Sequence, residues 1–294
     1  MSIIKKNQSA LGTGAIMLAT LFWGMTFAFI KDAVATLSPL NFLFWRFGIA
    51  SILLLIVFWK KIKFNKQVFL YGIVLGIFLA GTVVFQTIGL RYTKASTASF
   101  ITGFSVILVA LLESLSNKQW PSLYLIVSTL IAMIGIGFIT LSNGLSINQG
   151  DIWILLCAFC FANYIICAGK ASHIHQSFSL TFIQAAFVCI LVGVGSFFTN
   201  KIAIPQQMNV WVSILFCSIF ASIIAFVLQL QFQKHISATK AAIIFSLEPV
   251  FATITAAIYL HEKLTFQFCV GALMIFFAIL FSEKHTKQKI IPQE

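Results

Sequence analysis

Of 294 residues, 60% are hydrophobic and only 9% are charged, and the mean hydropathy is +1.01. A soluble domain carries about 25% charged residues, so this composition excludes a water-covered globular surface and indicates an all-α integral membrane protein. The net charge of +12 does not indicate nucleic acid, because the lysines fall in short loops between apolar runs, as membrane topology predicts.

A helix needs about 20 apolar residues to cross roughly 30 Å of hydrocarbon. Ten runs meet that length: 11–31, 38–58, 68–89, 95–115, 121–141, 151–170, 178–198, 208–232, 239–259 and 264–282. Their connections are short and hold the breakers Pro39, Pro121, Asn143, Gly144, Gly150 and Pro205. None of the runs alternates apolar and polar residues as the strands of a β-barrel would. The first run follows Lys5 and Lys6 but is too long for a signal sequence and lacks a small-residue cleavage site, so it reads as an uncleaved first helix.

The basic residues orient the spans. With the N-terminus inside, inner segments hold thirteen lysines, from Lys5 to Lys289, with KKIKFNK (60–66) the strongest anchor. Outer loops hold Lys31, Arg91, Lys94, Lys201 and Lys263, and Arg46 lies within a span, which accounts for all 19. Both termini are therefore expected to be cytoplasmic. The six cysteines fall within spans; those of CAFC (157–160) read as polarizable packing residues. SHIH (172–175) offers two histidines, but no further ligands accompany them, so no metal and no cofactor is expected.

An internal repeat sets the architecture. KASTASFITGFSVILVALLESL (94–115) resembles ISATKAAIIFSLEPVFATITAA (236–257), with Ala95, Ser96 and Thr97 matching Ser237, Ala238 and Thr239 at an offset of 142 residues. The chain divides into two five-helix units, 1–145 and 146–294. Five is odd, so the second unit enters the membrane from the opposite side: ten transmembrane helices as two inverted repeats. That arrangement belongs to alternating-access transporters, whose substrate sits near the midplane.

Three stretches carry a family resemblance. FWGMTFAFIKD (22–32), SPLNFLFWRFGIA (38–50) and SLEPVFATITAAIYLHEKLTFQFCVGALMI (246–275) are similar to motifs of the EamA branch of the drug/metabolite transporter superfamily. The resemblance covers nearly the whole chain. It implies secondary transport of small organic solutes, often amino acids and related metabolites. The first half departs from the pattern, reading SVI (105–107) where the second has Leu-Glu-Pro, and SNKQWPS (116–122) in place of a Glu-Lys loop.

Glu248 is the only ionisable side chain in AAIIFSLEPVFATITAAIYL (241–260). It lies nine residues into its span, about 14 Å deep, and Arg46 lies eight residues into its own from the other side, about 12 Å. Charges at that depth cost several kcal/mol unless paired or functional. The two are expected to meet if their helices are neighbours. One reading is a permanent pair that locks packing; the other is a pair that opens for substrate or a proton. Pro249 removes a backbone hydrogen bond and is expected to kink its helix. Trp23, Phe27, Phe44 and Trp45 are candidates for an aromatic cage. Gln86, Asn163, Tyr164, Gln184 and Gln229 are candidates for the pathway or for bonds between helices. Gly72 and Gly76 form a close-packing pair, within one chain or between chains. Glu262, beside Lys263, reads as a solvated loop residue.

The expected function is therefore a secondary transporter of a small organic metabolite, amino-acid-like or related, proton-coupled or exchanging, and not an enzyme. Its partners are that substrate and the bilayer, with no nucleic acid, in a monomer or homodimer. The alternative is a multidrug or toxic-compound exporter of the same fold. A channel or membrane enzyme ranks lower, since no charge ring, filter, Walker loop or nucleophile–base cluster is found.

Overall fold

Apolar runs in hydrocarbon must satisfy every backbone group within the segment, which leaves helices as the form these runs adopt. The computed structural model of the protein describes residues 2–116, 118, 123–140, 148–199, 202–235, 241 and 244–288. The first half holds α1 (Ser2–Ala33), α2 (Pro39–Phe58), α3 (Lys66–Tyr92), α4 (Ala95–Gly103), α5 (Ser105–Ser116) and α6 (Leu123–Thr140). The second holds α7 (Gln149–Ala171), α8 (Ser177–Thr199), α9 (Met208–Phe216), a π-helical segment Cys217–Ile224, α10 (Ala225–Phe232), α11 (Glu248–Tyr259) and α12 (Phe266–Gln288). Short 3-10 turns follow α2, α7 and α10. There is no strand among the described residues.

Seven helices among the described residues are long and apolar enough to cross a membrane: those at Ala10–Ala33, Pro39–Lys61, Lys66–Tyr92, Ala95–Ser116, Gln149–Ile174, Ser177–Thr199 and Met208–His235. This makes the chain a multi-pass membrane protein. The other three expected spans coincide with α6, α11 and α12, whose flanks or side chains lie partly outside the described residues. Large apolar side chains such as Ile56, Ile190, Phe197 and Phe277 are exposed around the bundle, as a lipid-facing surface requires.

The helix starts follow local chemistry. Ser38 caps α2 by accepting the Asn41 N–H, with Pro39 at the first turn, and Asn65 caps α3 by accepting the Val68 N–H at 2.8 Å. Glu262 overturns the solvated reading. Its carboxylate accepts the Ala95 N–H (2.8 Å), the Ser96 N–H (3.2 Å) and the Ser96 hydroxyl (2.6 Å). A carboxylate at a helix N-terminus meets free N–H groups and the positive end of the helix dipole, so this residue ties the α11–α12 loop to α4.

Lipid does not drive helices together as water does, so close backbone approach at small residues carries the packing. Gly72 and Gly76 both lie against α8 of the same chain: a Cβ on either would fall 2.6 Å from Ile183 or 2.8 Å from Phe187. Gly135 lets α6 approach the Gly271 carbonyl of α12. The resulting neighbours are regular. α1 packs on α9, the π segment, α10 and α11; α7 packs on α3, α4 and α5; α2 packs on α8, α6 on α12, and α4 on α11.

Candidate functional site

Two helices break at the centre of the bundle. α4 ends at Gly103 and α5 starts at Ser105, with Phe104 at the break. There the Phe104 N–H reaches the Ile101 carbonyl, while the Phe104 carbonyl accepts from Ile107 and Leu108. Around Leu247 the same pattern recurs: its N–H reaches the Ile244 carbonyl, and its carbonyl accepts from Val250 and Phe251. Glu248 and Pro249 then open α11. Proline fits the first turn, where its missing N–H has no partner to lose, so Pro249 starts a new helical segment rather than only kinking an old one. Phe104 and Leu247 stand 143 residues apart, one more than the offset of 142 in the sequence match, which places Glu248 opposite Ser105 rather than Val106. A Cβ on Gly103 would lie 3.2 Å from Pro249, so the two breaks touch.

A third irregularity lies against α1 and α2. The π segment Cys217–Ile224 widens the turn of its helix, a feature often found at functional sites. Its Ala221 carbonyl accepts the Trp23 indole N–H at 3.0 Å, and its Ser222 hydroxyl accepts the Arg46 Nε–H at 2.9 Å. The Ser218 hydroxyl, also in this segment, reaches the Arg46 carbonyl at 2.8 Å. The segment thus positions both an aromatic ring and the buried cation.

Beside Trp23 and Arg46 lies a small cavity of about 30 Å³, room for about two waters. Polar groups on its wall come from Thr26 of α1, Arg46 of α2, Thr82 and Gln86 of α3, Thr102 of α4 and Glu248 of α11. Its aromatic side is Trp23, Phe161 and Phe226, with ring centroids 6.0 Å and 5.2 Å from that of Trp23. Arg46 and Glu248 are 3% and 5% exposed. Both line the cavity, yet they form no ion pair, and the Arg46 Nη1 group is buried without a hydrogen-bond partner among the described residues. The two helices expected to be neighbours, α2 and α11, are not a packed pair, and the expected ion pair is not made; the residues share only the cavity wall. Leaving such groups buried without pairing them is costly, which marks both as candidates for a functional role.

The other candidates divide. Trp23 and Gln86 line the cavity with Arg46 and Glu248. Tyr164 and Gln184 lie one layer behind: the Tyr164 hydroxyl donates to Gln184 Oε1 at 3.1 Å, and the Tyr164 ring packs on Phe161 and Phe226. Gln229 is fully buried with neither side-chain polar atom bonded among the described residues. Phe27 is core, and Phe44 packs over Gly193. Trp45 bonds the Ala203 carbonyl at 2.9 Å and packs on Trp211, away from the cavity wall. Asn163 donates to the Phe159 carbonyl, one turn back, at a half-buried position. The expected cage of Trp23, Phe27, Phe44 and Trp45 is therefore replaced by Trp23, Phe161 and Phe226. The three threonines and the π segment carried no distinct signal in the sequence.

Comparison with known proteins agrees with this frame. The pattern of the EamA-like transporter family matches residues 10–141 and again 148–283. An uncharacterized transporter of Archaeoglobus fulgidus is 34% identical, over 94% of this chain and 86% of its own. The uncharacterized transporter YyaM of Bacillus subtilis is 27% identical, over 89% of this chain and 90% of its own. A solved crystal structure at 14% identity superposes with a TM-score of 0.68, over 95% of this chain and 99% of its own, which shows a common fold.

Proposed function

Because the chain belongs to the EamA-like transporter family, we propose that it is a secondary carrier moving a small, amino-acid-like metabolite across the cytoplasmic membrane by alternating access. One observation carries the substrate class: the Arg46 guanidinium and the Glu248 carboxyl line the same cavity, both buried and not bonded to each other. Arg46 suits a substrate carboxylate through its planar donors, and Glu248 suits an ammonium group or a coupling proton. The aromatic wall of Trp23, Phe161 and Phe226 encloses the apolar part of the solute.

Several observations support the two-unit reading of 1–145 and 146–294. The family pattern matches twice, and matching breaks occur at Phe104 and Leu247. Exchanging the halves turns the contacts of α1 into those of α7. In such a carrier, broken helices meet at the midplane and one unit rocks against the other. A cavity of about 30 Å³ is too small for an amino acid as it stands, so binding would require the site to widen. The excess of inner lysines supports cytoplasmic termini.

A second reading, export of organic cations, is favoured by the aromatic wall beside Glu248; Arg46 opposes it. Counterflow in proteoliposomes decides. Labelled neutral amino acids are expected to be trans-accelerated by unlabelled ones. Trans-acceleration of a quaternary ammonium dye, with no effect of amino acids, would establish the exporter instead, and flux without trans-acceleration would establish a channel.

A further inference from the structure

A second cavity lies at the end of the bundle that carries the 3-10 turn Trp59–Lys61. It is much larger, about 440 Å³, and is lined by Lys60, Lys61, Lys63, His175 and Lys234 with no acidic side chain on its described wall. The wall also includes Gln176 and Ser177, where α8 begins with no acidic residue in its first turn. Four lysines therefore crowd against the positive end of a helix dipole. Like charges so placed repel one another by Coulomb's law, and nothing among the lining residues offsets them.

Two of the lysines pack on aromatic rings. Lys61 Nζ sits 4.8 Å from the Phe178 ring centroid and 5.6 Å from that of Phe58, and the two rings are 4.6 Å apart. Lys60 Nζ lies 5.5 Å from the Trp59 ring. The Lys63 N–H donates to the Ser179 hydroxyl at 2.9 Å, which fastens this loop to α8. His175 takes a left-handed backbone, φ 61°, to turn the chain from its 3-10 turn into α8. The cost of that conformation goes into shaping this rim. Beside the loop, Ile56, Val57, Trp59 and Phe64 are all exposed, so the cavity sits where an apolar belt meets water.

We propose that this cavity binds a phosphodiester anion, supplied by the headgroup of an anionic phospholipid whose acyl chains lie along the exposed apolar residues. Phosphate is the anion that matches several converging ammonium groups and a helix N-terminus. The neighbouring apolar belt favours a lipid over a free solute. On the orientation proposed above, the site faces the cytoplasmic leaflet, where polybasic segments attract acidic lipids.

Native mass spectrometry of the full chain in detergent tests this, with phosphatidylglycerol, phosphatidylcholine and inorganic phosphate as separate probes. Phosphatidylglycerol is expected to be retained in preference to phosphatidylcholine. Each of Lys60→Gln and Lys234→Gln should weaken that retention about fivefold, whereas Lys263→Gln, at the other end of the bundle, leaves it unchanged. Thermal unfolding of the same variants without lipid verifies that they fold. Equal retention of the two lipids, or full retention by the Lys60→Gln/Lys234→Gln double variant, overturns the site. Stabilisation by inorganic phosphate matching that by phosphatidylglycerol overturns the lipid source and makes it a soluble-phosphate site.

Discussion

Gly24 and Glu248 meet through their backbones. A Cβ on Gly24 would lie 2.8 Å from the Glu248 carbonyl oxygen and 2.7 Å from the Phe251 Cβ. The glycine of the Trp-Gly motif therefore sets the spacing of α1 against the first turn of α11, and with it the distance from Trp23 to Glu248 across the cavity. Gly24→Ala forces backbone against backbone, which cannot relax by a rotamer change. The variant is expected to lose about 1–3 kcal/mol of stability and most of its transport, measured by thermal unfolding and uptake on the same preparation. Wild-type behaviour in both would show that the contact is not limiting.

Glu262 caps α4 with three hydrogen bonds. Glu262→Ala removes them all and should cost about 1–2 kcal/mol, as for other lost helix caps. Glu262→Gln keeps an acceptor and loses the charge, so it should fall between. The order wild type, Gln, Ala in thermal midpoint checks this; equal midpoints would return Glu262 to the solvent.

Gln229 is buried with both polar atoms unbonded among the described residues, and each such group costs about 1–3 kcal/mol. A residue kept at that cost serves another conformation or a passing solute. Gln229→Leu should therefore raise the thermal midpoint of the protein and reduce turnover. A stabilised variant with full transport would leave Gln229 without a role in the cycle.

How much of this was legible in the sequence depends on neighbouring positions. The seven apolar helices and the burial of Arg46, Glu248, Trp23 and Gln86 follow from hydropathy, depth and motif. Which face of a helix turns inward does not, because lipid-facing and buried residues are equally apolar. Tyr164 is fully buried and its neighbour Asn163 only half-buried; Arg46 lines the cavity and Trp45 does not. Residues one apart differ by about 100° around the helix, and only packing selects between them. The π segment reads CSIFASII, small and apolar residues that also suit an ordinary helix. Glu262 stands beside Lys263 in a short loop, and its partners on α4 are more than 160 residues away.

Arg46 and Glu248 share a cavity without an ion pair, so their substitutions should couple only through that cavity. A double-mutant cycle of Arg46→Gln and Glu248→Gln is expected to give a coupling of about 1 kcal/mol. A coupling of about 3 kcal/mol, the scale of a broken buried pair, would mean that the two are bound together in the resting protein.

The central claim is that Glu248 is a working acid in the substrate cavity rather than a packing residue. The pH profile of transport by Glu248→Gln in proteoliposomes tests it most directly, because the amide keeps the shape and cannot exchange a proton. The account predicts a folded protein that has lost uptake driven by a proton gradient, with any remaining exchange of labelled amino acid independent of pH. Normal uptake with the wild-type pH profile would contradict it.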